Sequence, residues 1–329
     1  MTFSDFFKVA LFILVSIGLT LNSEKSFSQM DPSKTLAEQL GYSADAKLLI
    51  IHADDLGVGH SKNAASISAW EQNGINSASI MVPTPWFPEI AHYATKNPEF
   101  DLGLHLTLTS EWMYYKWDGV LPSNEISTLL TDKSYFYPTV EEVVANADPA
   151  EIENEIRAQV ERAYQFGLDP THLDSHMGTL FSHPDFFEAY LRVGQEHELP
   201  VLVPDNWIEE AMFSSEEVRD RIMELAEGYP VHVQEVIMLD TDTPESEWFE
   251  KYDSEIKNLK PGLNEILLHP AYDDAEMNAM TINYHHNFGA EWRQRDYDYF
   301  TSQRLKDLFE EEDIKLVTWR EIKELMYPE

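Results

Sequence analysis

The sequence contains no cysteine, which excludes disulfides, thiolate nucleophiles and metal sites built from thiolates. Basic residues are scarce, because 23 Lys and Arg stand against 59 Asp and Glu, for a formal net charge of -36. A surface this acidic repels nucleic acid and anionic membranes, so we expect neither as a partner. No Gly-Xaa-Ser-Xaa-Gly motif is present, and the sequence therefore gives no support for a serine hydrolase of that type.

No internal repeat, low-complexity linker or sharp change in charge divides the chain. Hydrophobic residues make up 43% of it, enough for a large core, and we expect residues 29–329 to form a single domain. Residues 1–28 differ, because Lys8 precedes an apolar stretch that is shorter than a typical membrane span, and Ser26 and Ser28 fit a signal-peptidase site. This pattern predicts a cleaved signal peptide and a periplasmic or secreted protein without membrane contact after cleavage. An uncleaved N-terminal anchor is the alternative.

Short apolar segments alternate with helical segments along the chain. The predicted strands lie at 48–53, 78–82, 102–108, 171–174, 201–203, 233–239, 265–268 and 314–317. The predicted helices lie at 62–72, 85–95, 148–166, 183–197, 216–227, 293–310 and 320–325. Seven or eight strand–helix units in one chain favour an α/β fold that closes into a (β/α) barrel over an open sheet. An aromatic insertion at about 110–140 interrupts the alternation.

The stretch 48–60, LLIIHADDLGVGH, combines a buried-type strand with an acidic pair. Its apolar run ends at Asp54 and Asp55, and two glycines follow before a helical pattern begins. Ligand sites in α/β folds lie at the C-terminal ends of strands, and the turning backbone there lets both carboxylates reach one site. The alternative is that one carboxylate caps the helix while the other is solvated.

Histidines lie at or near the ends of other predicted strands. His105 lies within a short strand, where a hydrogen-bonded core histidine is the commoner use. His172, Asp174 and His176 alternate along one strand face and are predicted to project together into the barrel mouth, unless they mark a polar edge strand. His269 directly follows a buried-type strand. Together with the acidic pair, these residues predict a mononuclear site with one carboxylate, two imidazoles and open positions for water and substrate.

Four motifs give the chain a resemblance to the YdjC-like carbohydrate deacetylases, also called the ChbG/HpnK family. The motifs are HADDLG at 52–57, GLHLTLT at 103–109, HLDSH at 172–176 and LHP at 268–270. The resemblance extends from residue 47 to about 326. It implies a distorted (β/α) barrel similar to that of polysaccharide deacetylases. It also implies metal-dependent removal of acetyl groups from N-acetylated mono- or oligosaccharides.

The resemblance also implies a role for each motif residue. Asp55, His105 and His176 would bind one divalent ion, Zn²⁺ or Mg²⁺. Asp54 would be the general base that activates the attacking water, and His269 the general acid.

Further residues are implied to support these groups or to face the substrate. His172 and Asp174 belong to this set, and either Arg293 or Arg295 would supply a supporting charge. Most aromatic residues of the insertion are expected to pack onto the barrel, the commoner use of such rings, with Trp112 and Trp117 as candidate sugar contacts. The insertion and the signal peptide depart from the simplest family pattern, so the identity of the sugar stays open.

Two other functions are compatible with the same residues. One is an O-acetyl esterase that acts on a polysaccharide, and the other is a non-catalytic sugar- or metal-binding protein on this scaffold. A glycosidase is disfavoured, because the adjacent carboxylates of Asp54 and Asp55 cannot flank a glycosidic bond from separate positions. A homodimer is one possible assembly.

Overall fold

The computed structural model describes residues 30–328, apart from 211, 213–214, 241 and 285–286. The predicted signal peptide, 1–28, lies outside the described residues. Within the described part of the chain, none of the helices is both long and apolar enough to cross a membrane. Seven parallel strands in this part form one sheet: β1 Lys47–Leu56, β2 Ser77–Ile80, β3 Leu102–Leu106, β4 Leu173–Ser175, β5 Glu235–Ile237, β6 Gly262–Leu268 and β7 Lys315–Leu316.

The strand order is β4-β3-β2-β1-β6-β5, with β7 paired to the N-terminal part of β1. Two single bridges close this row into a ring, since Val201 pairs with Leu173 and Pro204 with Val233. The expected distorted α/β barrel is thereby confirmed. The predicted strand at 201–203 is reduced to these bridges because prolines at 200 and 204 flank it and cannot donate to a ladder.

Helices follow most of the strands and pack around the sheet. Those described are α1 Leu36–Gln39, α2 His60–Glu71, α3 Phe87–Ala94, α4 Val140–Asn146, α5 Pro149–Gln165, α6 Pro184–Glu196, α7 Asp205–Glu209, α8 Glu216–Ala226, α9 Trp248–Lys257, α10 Ala275–Met280, α11 Ala290–Phe300, α12 Gln303–Glu311 and α13 Trp319–Met326. The strongest predicted helix, 148–166, forms nearly as expected. The Asp148 side chain caps α5, and Pro149 occupies its first turn.

The predicted helix at 293–310 is wrong, because the structure divides it into α11 and α12. Ser302 has an extended backbone between them, and its hydroxyl accepts a hydrogen bond from the Leu305 amide. Phe300 before the break and Leu305 after it are both buried. The change of direction therefore lets both helices place apolar residues in the core, which a continuous helical pattern does not reveal.

The aromatic insertion is anchored to the barrel by backbone and side-chain hydrogen bonds. The buried Glu155 carboxylate on α5 accepts hydrogen bonds from the amide of Val120 at 2.8 Å and from the amide of Leu121 at 3.0 Å. Trp112 and Trp117 are buried against the core. The insertion is therefore a packed cover over one side of the barrel mouth.

Candidate active site

A bulge in β1 turns two consecutive carboxylates toward the same side of the strand. In the pairing with β2, Ala53 lies opposite Ala78 and Leu56 opposite Ile80, so β1 contains one extra residue. Asp55 has φ = 60°, a left-handed conformation that aspartate tolerates better than most residues. On a regular strand, neighbouring side chains point in opposite directions. The bulge instead lets Asp54 and Asp55 line one cavity.

This cavity has a volume of about 290 Å³ and lies at the C-terminal ends of β1, β3, β4 and β6. Its polar residues come from these strand ends and the segments that follow them. Its wall is largely apolar and is formed by Trp112, Phe181, Leu202, Trp207, Met238 and Phe288. A small cavity with a polar base and an apolar wall is typical of a site for a small organic group.

Asp55, His105 and His176 place three ligand-type atoms around one point. Asp55 Oδ1 lies 3.5 Å from His105 Nε2 and 3.3 Å from His176 Nδ1, and the two nitrogens are 3.2 Å apart. Ligand atoms held about 2.1 Å from a tetrahedral ion would be separated by about 3.4 Å. The spacing of the predicted triad therefore fits one divalent ion.

Hydrogen bonds behind the two imidazoles fix which ring nitrogens face this point. His105 Nδ1 lies 2.7 Å from Asp174 Oδ1, and His176 Nε2 lies 3.2 Å from Glu111 Oε2. An ionised carboxylate only accepts, so each of these nitrogens carries the proton. The other two nitrogens, His105 Nε2 and His176 Nδ1, then direct their lone pairs toward each other. Because two lone pairs at this distance repel, the arrangement requires a proton or a cation between them. Asp55 Oδ1 beside them is buried, and no described residue hydrogen-bonds to it.

Arg293 holds the other oxygen of the carboxylate in this triad. Its Nη1 donates to Asp55 Oδ2 at 3.0 Å, its Nε donates to the Phe288 carbonyl, and its guanidinium lies 5.7 Å from the centre of the Trp112 ring. Burial alone would raise the pKa of Asp55, but the two imidazoles and Arg293 hold that pKa well below its usual range. Arg295, the predicted alternative, instead pairs with Glu245 on the surface.

Asp54 and His269 form a second pair beside the triad. Asp54 Oδ1 lies 3.2 Å from His269 Nε2, and Asp54 Oδ2 lies 3.6 Å from His105 Nε2. Burial and the Asp55 charge act to raise the pKa of Asp54, but His269 and, to a smaller extent, His105 outweigh them, and the pKa is lowered. The His269 amide donates to Asp296 at 2.9 Å, which fixes its backbone. An ionised carboxylate and an imidazole therefore lie next to the triad.

The predicted substrate contact at His172 requires correction. Asp174 lines the cavity, but His172 lies two residues earlier on the same face and therefore in a deeper layer of the barrel. Its ring stacks on Trp319 at 4.8 Å, and a Cβ atom at Gly103 would lie 2.3 Å from it. His172 thus packs below the site, while Asp174 also binds His52 Nε2 at 3.1 Å. Although burial acts to raise the pKa of Asp174, His105 and His52 hold it far below its usual range.

The two predicted tryptophan contacts have different positions. Trp112 lines the cavity. Trp117 does not, because its ring packs inside the insertion, 6.5 Å from the His176 ring, and its Nε1 donates to the Thr109 carbonyl at 2.8 Å. Trp117 therefore supports the wall behind His176 and has no contact with the cavity.

Two residues near the site were missed by the sequence analysis. Glu111 follows no strand end directly and stands in an aromatic stretch; its only signal is its short distance from His105 in the chain. Lys62 is fully buried on α2, no described residue hydrogen-bonds to its Nζ, and burial lowers its pKa to about 7. Nothing in the sequence indicates that this lysine is buried, because lysine is normally exposed.

Fold and site together define a parallel α/β-barrel protein with a carboxylate–imidazole centre suited to one divalent ion. The chain belongs to the YdjC-like protein family, whose sequence model matches residues 48–311. The predicted family is thereby confirmed.

Two relatives match this chain over nearly their whole length. A protein of Thermus thermophilus named carbohydrate deacetylase is 30% identical, and the match covers 89% of this chain and 99% of that relative. One of Brevibacillus brevis with the same name is 29% identical over 83% of this chain and 99% of its own. A crystal structure from Enterococcus faecalis, titled as a candidate cellobiose-phosphate cleavage protein, superposes with a TM-score of 0.68 at 24% identity, covering 84% of this chain and 99% of that one. This last likeness supports the fold.

Proposed function

We propose that this chain is a metal-dependent carbohydrate deacetylase that hydrolyses acetyl groups from N-acetylated sugars or oligosaccharides. The observation that carries the proposal is the Asp54–His269 pair beside the triad of Asp55, His105 and His176 in one cavity. The names of the relatives from Thermus thermophilus and Brevibacillus brevis support the substrate class.

Asp55, His105 and His176 would hold the divalent ion, Zn²⁺ or Mg²⁺. Such an ion supplies Lewis-acid polarisation of water and of an acetyl carbonyl when it is bound. Arg293 keeps the Asp55 carboxylate ionised and oriented through the 3.0 Å hydrogen bond to Oδ2. Asp174 orients the His105 ring and holds its proton on Nδ1, which leaves the Nε2 lone pair for the ion.

Asp54 takes a proton from the attacking water. Its lowered pKa keeps it ionised, and Oδ2 faces the triad while Oδ1 lies beside His269 Nε2. An acetamide can be cleaved only if the leaving nitrogen gains a proton, and His269 Nε2 supplies it. One proton thus leaves water for Asp54 while another passes from His269 to the amine. The two groups return to their starting states when the proton on Asp54 passes to His269.

Acetate release from a panel of N-acetylated and O-acetylated glycans, with and without a chelator, tests the proposal. We expect release from N-acetylated sugars that stops with the chelator and returns when Zn²⁺ or Mg²⁺ is added back. Release from O-acetylated glycans alone would identify an esterase. No release from any glycan after metal is restored, combined with sugar binding, would favour a non-catalytic binding protein.

We further propose that the enzyme is exported and begins near Gln29 once the signal peptide is removed. The short apolar core at 9–21 and the serines at 26 and 28 support this proposal. N-terminal sequencing of the protein from its native host should find the mature end outside the cytoplasm. An intact Met1 in the cytosol would contradict it.

A further inference from the structure

The Glu111 side chain lines the cavity. The proposed reaction gives this carboxylate no role. It lies just beyond β3, at the start of the aromatic insertion, and its side chain is 11% exposed. Its Oε2 atom lies 3.2 Å from His176 Nε2, on the opposite side of that ring from Asp55. The insertion therefore brings a carboxylate to the back of a candidate metal ligand.

The backbone on both sides of Glu111 is fixed by hydrogen bonds. The Trp117 ring donates to the Thr109 carbonyl at 2.8 Å, and the Trp117 amide donates to Ser110 Oγ at 3.2 Å. The Ser110 amide donates to the Tyr137 carbonyl at 2.9 Å, which joins the two ends of the insertion. Glu111 thus extends from a closed loop that is held by hydrogen bonds in which His176 takes no part.

His176, in contrast, lies where regular backbone pairing has ended. It follows the last residue of β4 and is followed by Met177 with φ = 53°. His105 differs, because it lies within β3 and is paired in register with Asp174, the carboxylate that also binds its ring. The pairing of β3 with β4 therefore positions the His105 imidazole. The His176 imidazole needs a partner from outside the sheet.

We propose that Glu111 is a positioning residue that holds the proton of His176 on Nε2 and thereby directs the Nδ1 lone pair to the divalent ion. This inference rests on the proposed function, because it takes Asp55, His105 and His176 as the ligands. Carboxylates behind ligating histidines orient the ring and increase its basicity. The aromatic insertion then supports the metal site as well as the cavity wall.

Metal affinity, measured on the whole protein by competition with a chromophoric chelator, provides the first test. Glu111→Ala should weaken binding of Zn²⁺ by about 10- to 100-fold. Glu111→Gln keeps an oxygen that can accept from Nε2 but loses the charge, so it should recover part of the affinity. Glu125→Ala removes an exposed carboxylate of the same insertion and should bind Zn²⁺ like the wild type.

A second readout reports the imidazole proton itself. In the Co²⁺-loaded protein, each ligating histidine gives a shifted N–H proton signal that disappears on exchange with deuterated water. One of the two signals should exchange faster in Glu111→Ala than in the wild type, and less so in Glu111→Gln. If Glu111→Ala does not fold, the affinity and exchange of Glu111→Gln decide the question.

The outcomes separate this inference from the proposed function. A wild-type protein that binds no divalent ion at this site would contradict the metal-dependent function itself. A wild-type protein that binds Zn²⁺ while Glu111→Ala binds it equally tightly, with unchanged N–H exchange, would overturn only the role of Glu111.

Discussion

The two sides of the barrel differ in regularity and in what they contribute. On one side, β1, β2, β3, β4 and β6 form continuous ladders up to the bulge at Asp54 and Asp55, and their ends supply these two carboxylates together with His105, Asp174 and His269. On the other side, the described residues of 201–240 are held by single bridges and the three-residue strand β5, and they supply Leu202, Trp207 and Met238 of the apolar wall. We call these the ladder side and the wall side.

The difference shows where positional accuracy is concentrated. Ligand and proton-transfer atoms must be placed within fractions of an ångström, and paired strands restrict their backbone strongly. An apolar wall contacts its ligand through dispersion and desolvation, which tolerate small displacements. Substitutions on the ladder side should therefore change metal content and turnover, and those on the wall side mainly apparent substrate affinity.

The largest effect is expected from the imidazole ligands. His105→Ala or His176→Ala should lose the metal and reduce acetate release to background, because two remaining ligands hold a divalent ion poorly. Elemental analysis and circular dichroism should show an empty but folded protein, while His92→Ala, an exposed histidine on α3, should keep its metal. Full metal occupancy in both ligand variants would reject the assignment.

Asp54→Asn should reduce turnover by about 10²- to 10⁴-fold while the metal stays bound, because asparagine keeps the shape but cannot accept the proton. Asp55→Asn should instead lose metal and turnover together. The measurement pairs metal content with acetate release in the two variants. Near-normal turnover in Asp54→Asn, or metal loss as complete as in Asp55→Asn, would show that the roles of the pair are wrong.

The wall side should respond more weakly. Met238→Ala removes apolar contacts from the cavity and should raise KM by about tenfold or less, at a cost of about 1 kcal/mol, with kcat and metal content unchanged. The exposed Met223→Ala serves as a matched control. A loss of metal or of kcat in Met238→Ala would contradict the distinction between the two sides.

The last effect concerns the stability of the fold and not the reaction. Burial lowers the pKa of Lys62 from 10.5 to about 7. Between these values the unfolded chain binds a proton that the folded chain lacks, so this group makes stability rise with pH by at most about 1.4 kcal/mol per pH unit. In urea unfolding from about pH 7 to about pH 10, Lys62→Met should show a shallower rise than the wild type. Equal slopes would contradict the burial of an unpaired amine.

The sequence allowed the fold and most of the centre to be predicted because both follow local rules. Apolar runs that end in Asp54, Asp55 or His269 mark the C-terminal ends of strands, and those ends meet at one rim in a parallel barrel. The bulge could not be foreseen, since it depends on how β1 and β2 pair across 23 or 24 intervening residues. The sequence placed both carboxylates in one site, but only the structure shows the extra residue that turns them together.

The residues that the sequence analysis placed wrongly or missed share a physical cause. Each of them depends on how deeply its side chain is buried in the fold. Strand alternation assigns His172 to the correct face but does not show that it lies one layer below the cavity, against Trp319. Lys62 and Glu111 are charged residues whose burial results from tertiary packing alone. The alternation of side chains along a strand shows which face a residue occupies. It does not show how far that residue lies from the cavity along the barrel axis.

The pairing of β1 also bears on the order in which the chain is made. Leu48 is synthesised early, but its partners Leu263 and Lys315 leave the ribosome near the end of translation. One edge of the strand that carries Asp54 and Asp55 therefore has no partner while most of the chain is being made. Because a site that is not yet folded binds metal poorly, the proposed ion would bind only after β6 has been synthesised. On the proposed function, the ions available in the compartment where folding finishes would then determine which divalent ion enters the site.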